Sequence, residues 1–256
     1  MIKKEDFYKY ISKVSKKYDS EGLSFDTPVY SPNTHINDLI NSPYYKALIP
    51  LRHIFKQACD HFWSYEMGGL NVDLFMMTPS VSSPAGKGSD SEVIPINFGG
   101  LTTNLTDSSQ FGFEPLLLNG DTKCLYCYLP SMRGENPDYR HLNQFFHCEA
   151  ELKITYKELI PHINSFIRFL AETLLSAPEL LRATSSNYEI SYKALTQITE
   201  SDFVEIEFDQ AVEFLLDNGY SDTVINDVSG RDINSKGELL VVEHFGDQLP
   251  LWIKNY

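Results

Sequence analysis

The run from Leu129 to Leu152, LPSMRGENPDYRHLNQFFHCEAEL, constrains the fold of this chain more than any other segment. KCLYCYLP reads as a strand whose end carries Arg133 and Glu135, a polar loop follows, and a second strand begins near Gln144. The result is a hairpin with charges at its mouth. Side chains alternate along a strand, so Glu149 and Glu151 share one side while Cys148 and Ala150 take the other. Arg133 offers a planar fork suited to phosphate or carboxylate, Arg140 and His141 add positive charge to the loop, and Phe145 supplies a ring for a base to stack on. On these residues alone two readings stand. One is an anion site beside a stacking platform and an acidic pocket; the other is a solvated hairpin whose ion pairs contribute little.

The rest of the chain surrounds this hairpin with helices. Residues 1–20 have Phe7, Ile11 and Val14 at helical spacing with lysines between them, and Phe25 to Pro43 is a Pro-, Ser- and Asn-rich connector. Residues 1–42 are therefore expected to form a helical arm and connector ahead of a main domain over 43–256. From Pro43 to Met67 the spacing predicts a helix with Leu48, Leu51, Ile54, Phe55, Ala58, Phe62 and Trp63 on one face, ended by Gly68-Gly69. Strands are expected at Val72–Met77, Ile94–Phe98, Thr103–Thr106, Cys124–Leu129 and Phe145–Leu152. A long amphipathic helix is predicted over Tyr156–Leu175, where Pro161 falls in the first turns. Beyond it come a strand at Glu205–Phe208, helices at Asp209–Asn218 and Ser235–Phe245, and a last strand at Leu249–Lys254. Strands in runs, interrupted by helices without regular βαβ alternation, imply an α+β fold: a mainly antiparallel sheet flanked by helices.

Composition narrows the function. With 256 residues, 42% of them hydrophobic, the chain can bury a sizeable core. No apolar run approaches the roughly 18 to 20 residues that span a bilayer, and the N-terminus lacks the apolar region of a signal peptide, so a cytoplasmic protein is expected with no membrane partner. The net charge of -14, from 21 Lys and Arg against 35 Asp and Glu, counts against tRNA as a partner. Cys124 and Cys127 form a C-x-x-C, but it lies in a strand-like run and no second such pair completes a zinc site. His53 and His61 stand eight apart on a helix without a third ligand, and Asn226-Asp227 reads as a turn, so no metal site is assigned within the chain.

Met132-Arg133-Gly134-Glu135, then Arg140-His141-Leu142, then Glu149-Ala150-Glu151, together resemble motif 2 of the class II aminoacyl-tRNA synthetases. The likeness is closest to the aspartyl/asparaginyl subgroup. Gly69 to Pro79, behind a long helix, resembles motif 1, which forms the dimer interface in that family. Asp107-Ser108-Ser109-Gln110 resembles the family's Ser-Pro-Gln segment that lines the amino-acid pocket. The resemblance implies a class II synthetase/biotin ligase-like fold and a homodimeric ligase that binds ATP and an amino acid. Carried over residue by residue, it implies that Arg133 holds the α-phosphate, Glu135 the adenine side, His141 the outer phosphates, and that Phe145 stacks on adenine. Gln110 and Glu149 would take the α-ammonium group, with Ser108 nearby and His147 also facing the substrate.

This sequence departs from the family's pattern in four places. Pro84-Ala85-Gly86 lacks a neighbouring glutamate, for which Glu92 is a candidate substitute. Phe113 stands where aspartate and asparagine enzymes carry a lysine. The family's metal-binding acids and its motif 3, which clamps the γ-phosphate, find no counterpart before Tyr256, so Mg²⁺ ligands are expected beyond it. No anticodon-binding barrel precedes Pro43, which resembles stand-alone asparagine-synthetase-like relatives. The expected activity is ATP-dependent amino-acid activation. The alternative is a truncated, non-catalytic paralogue that binds nucleotide, amino acid or a partner subunit.

Overall fold

The computed structural model describes residues 3–18, 28–29, 31–78, 92–137, 142–228, 230–247 and 249–255. In chain order the helices and strands are α1 (Lys4–Ser15), α2 (His35–Asn41), α3 (Pro43–Asp60), β1 (Leu70–Asn71), β2 (Met77–Thr78), β3 (Pro95–Phe98), β4 (Leu101–Leu105), α4 (Gln110–Leu118), β5 (Cys124–Met132) and β6 (Gln144–Leu152). Then come α5 (Tyr156–Leu175), α6 (Pro178–Thr184), α7 (Tyr188–Glu200), β7 (Val204–Glu207), α8 (Phe208–Asp217), β8 (Val224–Asp227), β9 (Gly230–Ile233), α9 (Ser235–Val241) and β10 (Leu251–Lys254). They divide into two compact units, residues 1–59, 160–225 and 233–256 in one, and residues 60–159 and 226–232 in the other.

In the first unit, β7 and β10 pair in parallel, with Ile206 beside Ile253. Their apolar side chains close a core with Phe208, Ala211, Val212 and Leu215 of α8 and Val241 of α9. The start of α8 is set by its sequence. Gln210 accepts a hydrogen bond from the Glu207 backbone N–H while Glu207 caps the helix in return, which satisfies two groups the helix end would leave open. α1 lies on α5 and α6: the Phe7 and Phe169 rings stack 5.9 Å apart, and Ser15 donates to Glu179 of α6 at 2.6 Å.

The second unit is organised on β5. It pairs antiparallel with β6 along its whole length, from Cys124 opposite Leu152 to Met132 opposite Gln144, and parallel with β1 through Leu70 and Asn71. A separate antiparallel sheet has the order β2-β4-β3. One face of β5 carries Leu125, Cys127 and Leu129 against Phe113 and Leu117 of α4. From the opposite face Tyr126 and Tyr128 each donate to Asp60 Oδ1 at 2.9 Å. That alternation puts Cys124 and Cys127 on opposite faces. Neither is in a disulfide, and burial pushes both thiols up to about 11, so the C-x-x-C is part of a packed strand.

Gly69 is required where the chain turns from helix to sheet. A Cβ there would stand 2.7 Å from Cys124 Sγ and 2.8 Å from the Trp63 carbonyl oxygen. Gly68, just before it, has φ +66, which favours glycine.

Several elements differ from the sequence expectations. The strand expected over Val72–Met77 is mostly irregular: β1 ends just before it at Asn71, 72–76 carries no strand, and Met77 alone belongs to β2, which lies in a different sheet from β1. Alternation along a strand does not say which sheet it joins. The connector before Pro43 contains α2, and Asn226-Asp227 ends a strand paired with β9. The helix over 43–67 changes to a π-helical turn at His61–Glu66, which keeps His61, Phe62 and Trp63 buried together. Helices α4, α6 and α7 are additions to the sequence expectations; α7 buries no residue fully.

Candidate active site

The β5–β6 pairing determines what the site contains. Along β6 a period of two places Phe145, His147, Glu149 and Glu151 on one face, and the register sets Ser131, Leu129, Cys127 and Leu125 opposite them. Leu125, Cys127 and Leu129 are already packed under α4. The polar members therefore line up at the edge of that core, where the turn 107–109 leads into α4. Asp107 and Ser109 are buried in this turn.

Glu149 is the most constrained group. Its Oε1 accepts from the Ser108 hydroxyl at 3.0 Å and its Oε2 from the Ser109 backbone N–H at 2.9 Å. His147 Nδ1 lies 3.5 Å from Oε2 and 2.9 Å from the Ser131 hydroxyl. Burial alone would raise the carboxyl's pKa, but the bonds from His147, Ser109 and Ser108 outweigh it and bring it down to about 2. Glu149 is thus a fixed anion at neutral pH. Glu151 moves the other way: burial, then repulsion from Glu114 and Glu149, raises it above the ordinary carboxylate value. A ligand with a positive group would relieve that repulsion.

Two strand steps further along the same face from His147 lies the cationic end. The Arg133 guanidinium carbon stands 5.4 Å from the centre of the Phe145 ring, and Arg133 Nε is buried with no hydrogen-bond partner. An unsatisfied charged donor beside an aromatic ring fits an anion attached to a flat base. The backbone around it is closely held. Asn143 donates from its side-chain amide to the carbonyls of Arg133 and Glu135, and the Gly134 N–H donates to Glu92 O at 2.8 Å. A Cβ on Gly134 would stand 3.0 Å from Glu92 O and Cβ, so this crossing needs a glycine or a shift of the segment that carries Glu92.

The structure brings Arg133, Phe145, His147, Glu149 and Ser108 to one face of the hairpin and its neighbouring turn. Glu135 is turned to the Glu92 backbone N–H at 3.1 Å, which uses one carboxylate oxygen. Gln110 opens α4 with its amide 3.4 Å from Glu114. His141 and Arg140, like Pro84-Ala85-Gly86, lie outside the described residues. Glu92 meets the site through its backbone. Phe113 is fully buried in the α4 core. Sequence reasoning did not single out Ser131, Ser109 or Asn143. Ser131 was within reach, because it pairs with Phe145 once the hairpin register is drawn. Among the described residues no group of three or more His, Cys, Asp or Glu is arranged to hold a metal, so no residue is assigned to Mg²⁺.

No family model matches the chain. It is 27% identical over 229 residues to the asparagine--tRNA ligase of Yersinia enterocolitica, covering 82% of this chain and 48% of that one. It is also 27% identical over 164 residues to a probable cytoplasmic asparagine--tRNA ligase of Enterocytozoon bieneusi, covering 62% of this chain and 34% of the relative. The chain thus spans about half the length, or less, of the curated relatives it matches. Among solved structures, asparaginyl-tRNA synthetase from Pyrococcus horikoshii complexed with asparaginyl-adenylate superposes with a TM-score of 0.71 at 17% identity, over 88% of this chain and 48% of that one. A putative aspartyl-tRNA synthetase from Leishmania major gives 0.62 at 17% identity, over 89% and 49%. The chain has the α+β fold of a class II aminoacyl-tRNA synthetase catalytic core.

Proposed function

We propose that this chain is a ligase that binds ATP and an amino acid and joins them as an aminoacyl-adenylate. An amino-acid carboxylate oxygen attacks the α-phosphorus, the bond from that phosphorus to the bridging oxygen breaks, and pyrophosphate leaves. The residues do this by position and charge, with no covalent protein intermediate. Arg133 meets the α-phosphate, where negative charge accumulates in the transition state, and Phe145 supports the adenine ring. Glu135 lies on the adenine side, and His141 with the outer phosphates. Glu149 receives the α-ammonium group, with Ser108 and Ser109 holding its carboxylate still, and His147 and Gln110 complete the pocket wall.

The observation that carries this reading is a fixed carboxylate, Glu149, on the strand face that ends beside Arg133, whose buried Nε has no hydrogen-bond partner. Phe145 and Glu149 are four residues apart along β6, or about 13 Å at the usual strand rise. That is of the order of an extended aminoacyl-adenylate, from its base to its amine. The same reading makes the protein a cytoplasmic homodimer formed through the helix that begins at Pro43 and the segment from Val72 to Pro79.

The test is amino-acid-dependent exchange of pyrophosphate into ATP by the purified chain with Mg²⁺ supplied. Asparagine is the first amino acid to try, because the matched relatives are asparagine--tRNA ligases. One amino acid should support exchange, and Arg133→Ala should lower it by roughly 100-fold or more. Exchange with none of the twenty, or exchange indifferent to Arg133→Ala, would overturn the assignment.

A further inference from the structure

We infer that His147 is a positioning residue that keeps the Glu149 pocket open to an ammonium group only while its imidazole is neutral. His147 takes this role on the reading that Glu149 receives the amino acid's ammonium group. The ring is held from three sides. Its Nδ1 lies 2.9 Å from the Ser131 hydroxyl and 3.5 Å from Glu149 Oε2, and the Phe145 ring meets it edge-on with centroids 4.7 Å apart. An ionised carboxylate only accepts, so the nitrogen beside Glu149 carries the proton; a bare Nδ1 would turn its lone pair on a negative charge. In the neutral ring that leaves Nε2 as an acceptor, and among the described residues Nε2 has no hydrogen-bond partner.

Neutral His147 therefore steadies Glu149 through Nδ1–H and brings no positive charge of its own. A second proton reverses this. The imidazolium becomes the counter-ion of Glu149, and an ammonium group entering the pocket meets a like charge where an unshared carboxylate stood. The His147 side chain is 29% exposed, so the ring exchanges protons with solvent.

Two groups near the ring keep their charge state between pH 5 and 8. Glu149 is held down at about 2, and the Cys127 thiol, opposite it on β5, is pushed up to about 11. Arg133, beyond Phe145, stays cationic. The other acids near this face are Glu151 on β6, Glu114 on α4 and Asp107 in the turn before α4. Glu151 is the competitor, because its carboxyl is raised above the ordinary value and its ionisation would also strengthen cation binding as pH rises.

The experiment follows the His147 ring by NMR in the full chain, its signal assigned by its loss in His147→Asn. Titrations from pH 5 to 8 are run without ligand, with L-asparagine, and then with each of the other amino acids. An ammonium group in the pocket should move the midpoint of the His147 titration to lower pH. By linkage, affinity for that amino acid should fall roughly tenfold from pH 8 to pH 5. His147→Asn keeps an N–H for Glu149 on a side chain that does not titrate, and should remove this pH dependence; Glu151→Gln should retain it. His147→Ala, which has no such N–H, should bind the amino acid several-fold more weakly at pH 8 than His147→Asn does. A His147 midpoint that none of the twenty amino acids moves, or a pH dependence that survives in His147→Asn, would sink the inference. The ring titration needs no turnover. Pyrophosphate exchange without a shift at His147 would leave the adenylation reading standing and remove this one, and a shift without exchange would do the reverse.

Discussion

Burial works against the charge on Glu149, and three donors outweigh it. Its folded pKa of about 2 lies below the ordinary value of 4.5. It therefore contributes stability that is present above pH 4.5 and lost as pH falls towards 2. The full shift corresponds to about 3 kcal/mol, and partial exposure reduces this to about 2 kcal/mol. Urea denaturation of wild type and Glu149→Gln should differ by that amount at pH 6 and converge as the pH approaches 2. A constant difference across that range would mean that Glu149 is not held as an anion. That Glu149 and Glu151 share a face was legible from their spacing. Their opposite pKa shifts were not, because the Ser109 N–H and the Glu114 carboxylate come from a segment remote in sequence.

At the scale of elements, the hairpin mouth depends on Asn143. One side-chain amide bridges the carbonyls of Arg133 and Glu135 and so fixes where the Arg133 fork emerges. Asn143→Ala should cost about 1–2 kcal/mol of stability. It should raise the KM for ATP in pyrophosphate exchange several-fold while changing kcat less. An unchanged KM would show that the clamp has no part in nucleotide binding. The hairpin itself was legible because two apolar runs flank a polar loop. Helix α5 was equally plain, since its 3.6-residue stripe runs for 20 residues. Helices α4 and α6 were not, being short, and α4 is so uniformly apolar that it presents no stripe.

For the whole molecule, the proposed homodimer has a physical cost if it does not form. The second unit leaves Phe75 89%, Leu101 73% and Leu70 56% exposed in one protomer. A stable interface of ordinary size would cover such side chains. Light scattering after size exclusion should give twice the 29.2 kDa chain mass at micromolar concentration. Phe75→Ser with Leu101→Asp should shift the protein to monomer. A wild-type monomer throughout 1–100 µM would rule the dimer out.

The sequence by itself determined the local features: an amphipathic first helix, the β5–β6 hairpin with its arginine and glutamates, the long α5 helix, and an α+β composition. These depend on periodicity and turn chemistry within a short stretch of chain. Only the tertiary structure decided which distant segments meet. It brought Ser108 and Ser109 to Glu149, divided the 70–78 segment between two sheets, and buried Phe113. The reason is physical. Backbone pairing and core packing are satisfied by partners far away in sequence, and alternation specifies a face without naming what covers it.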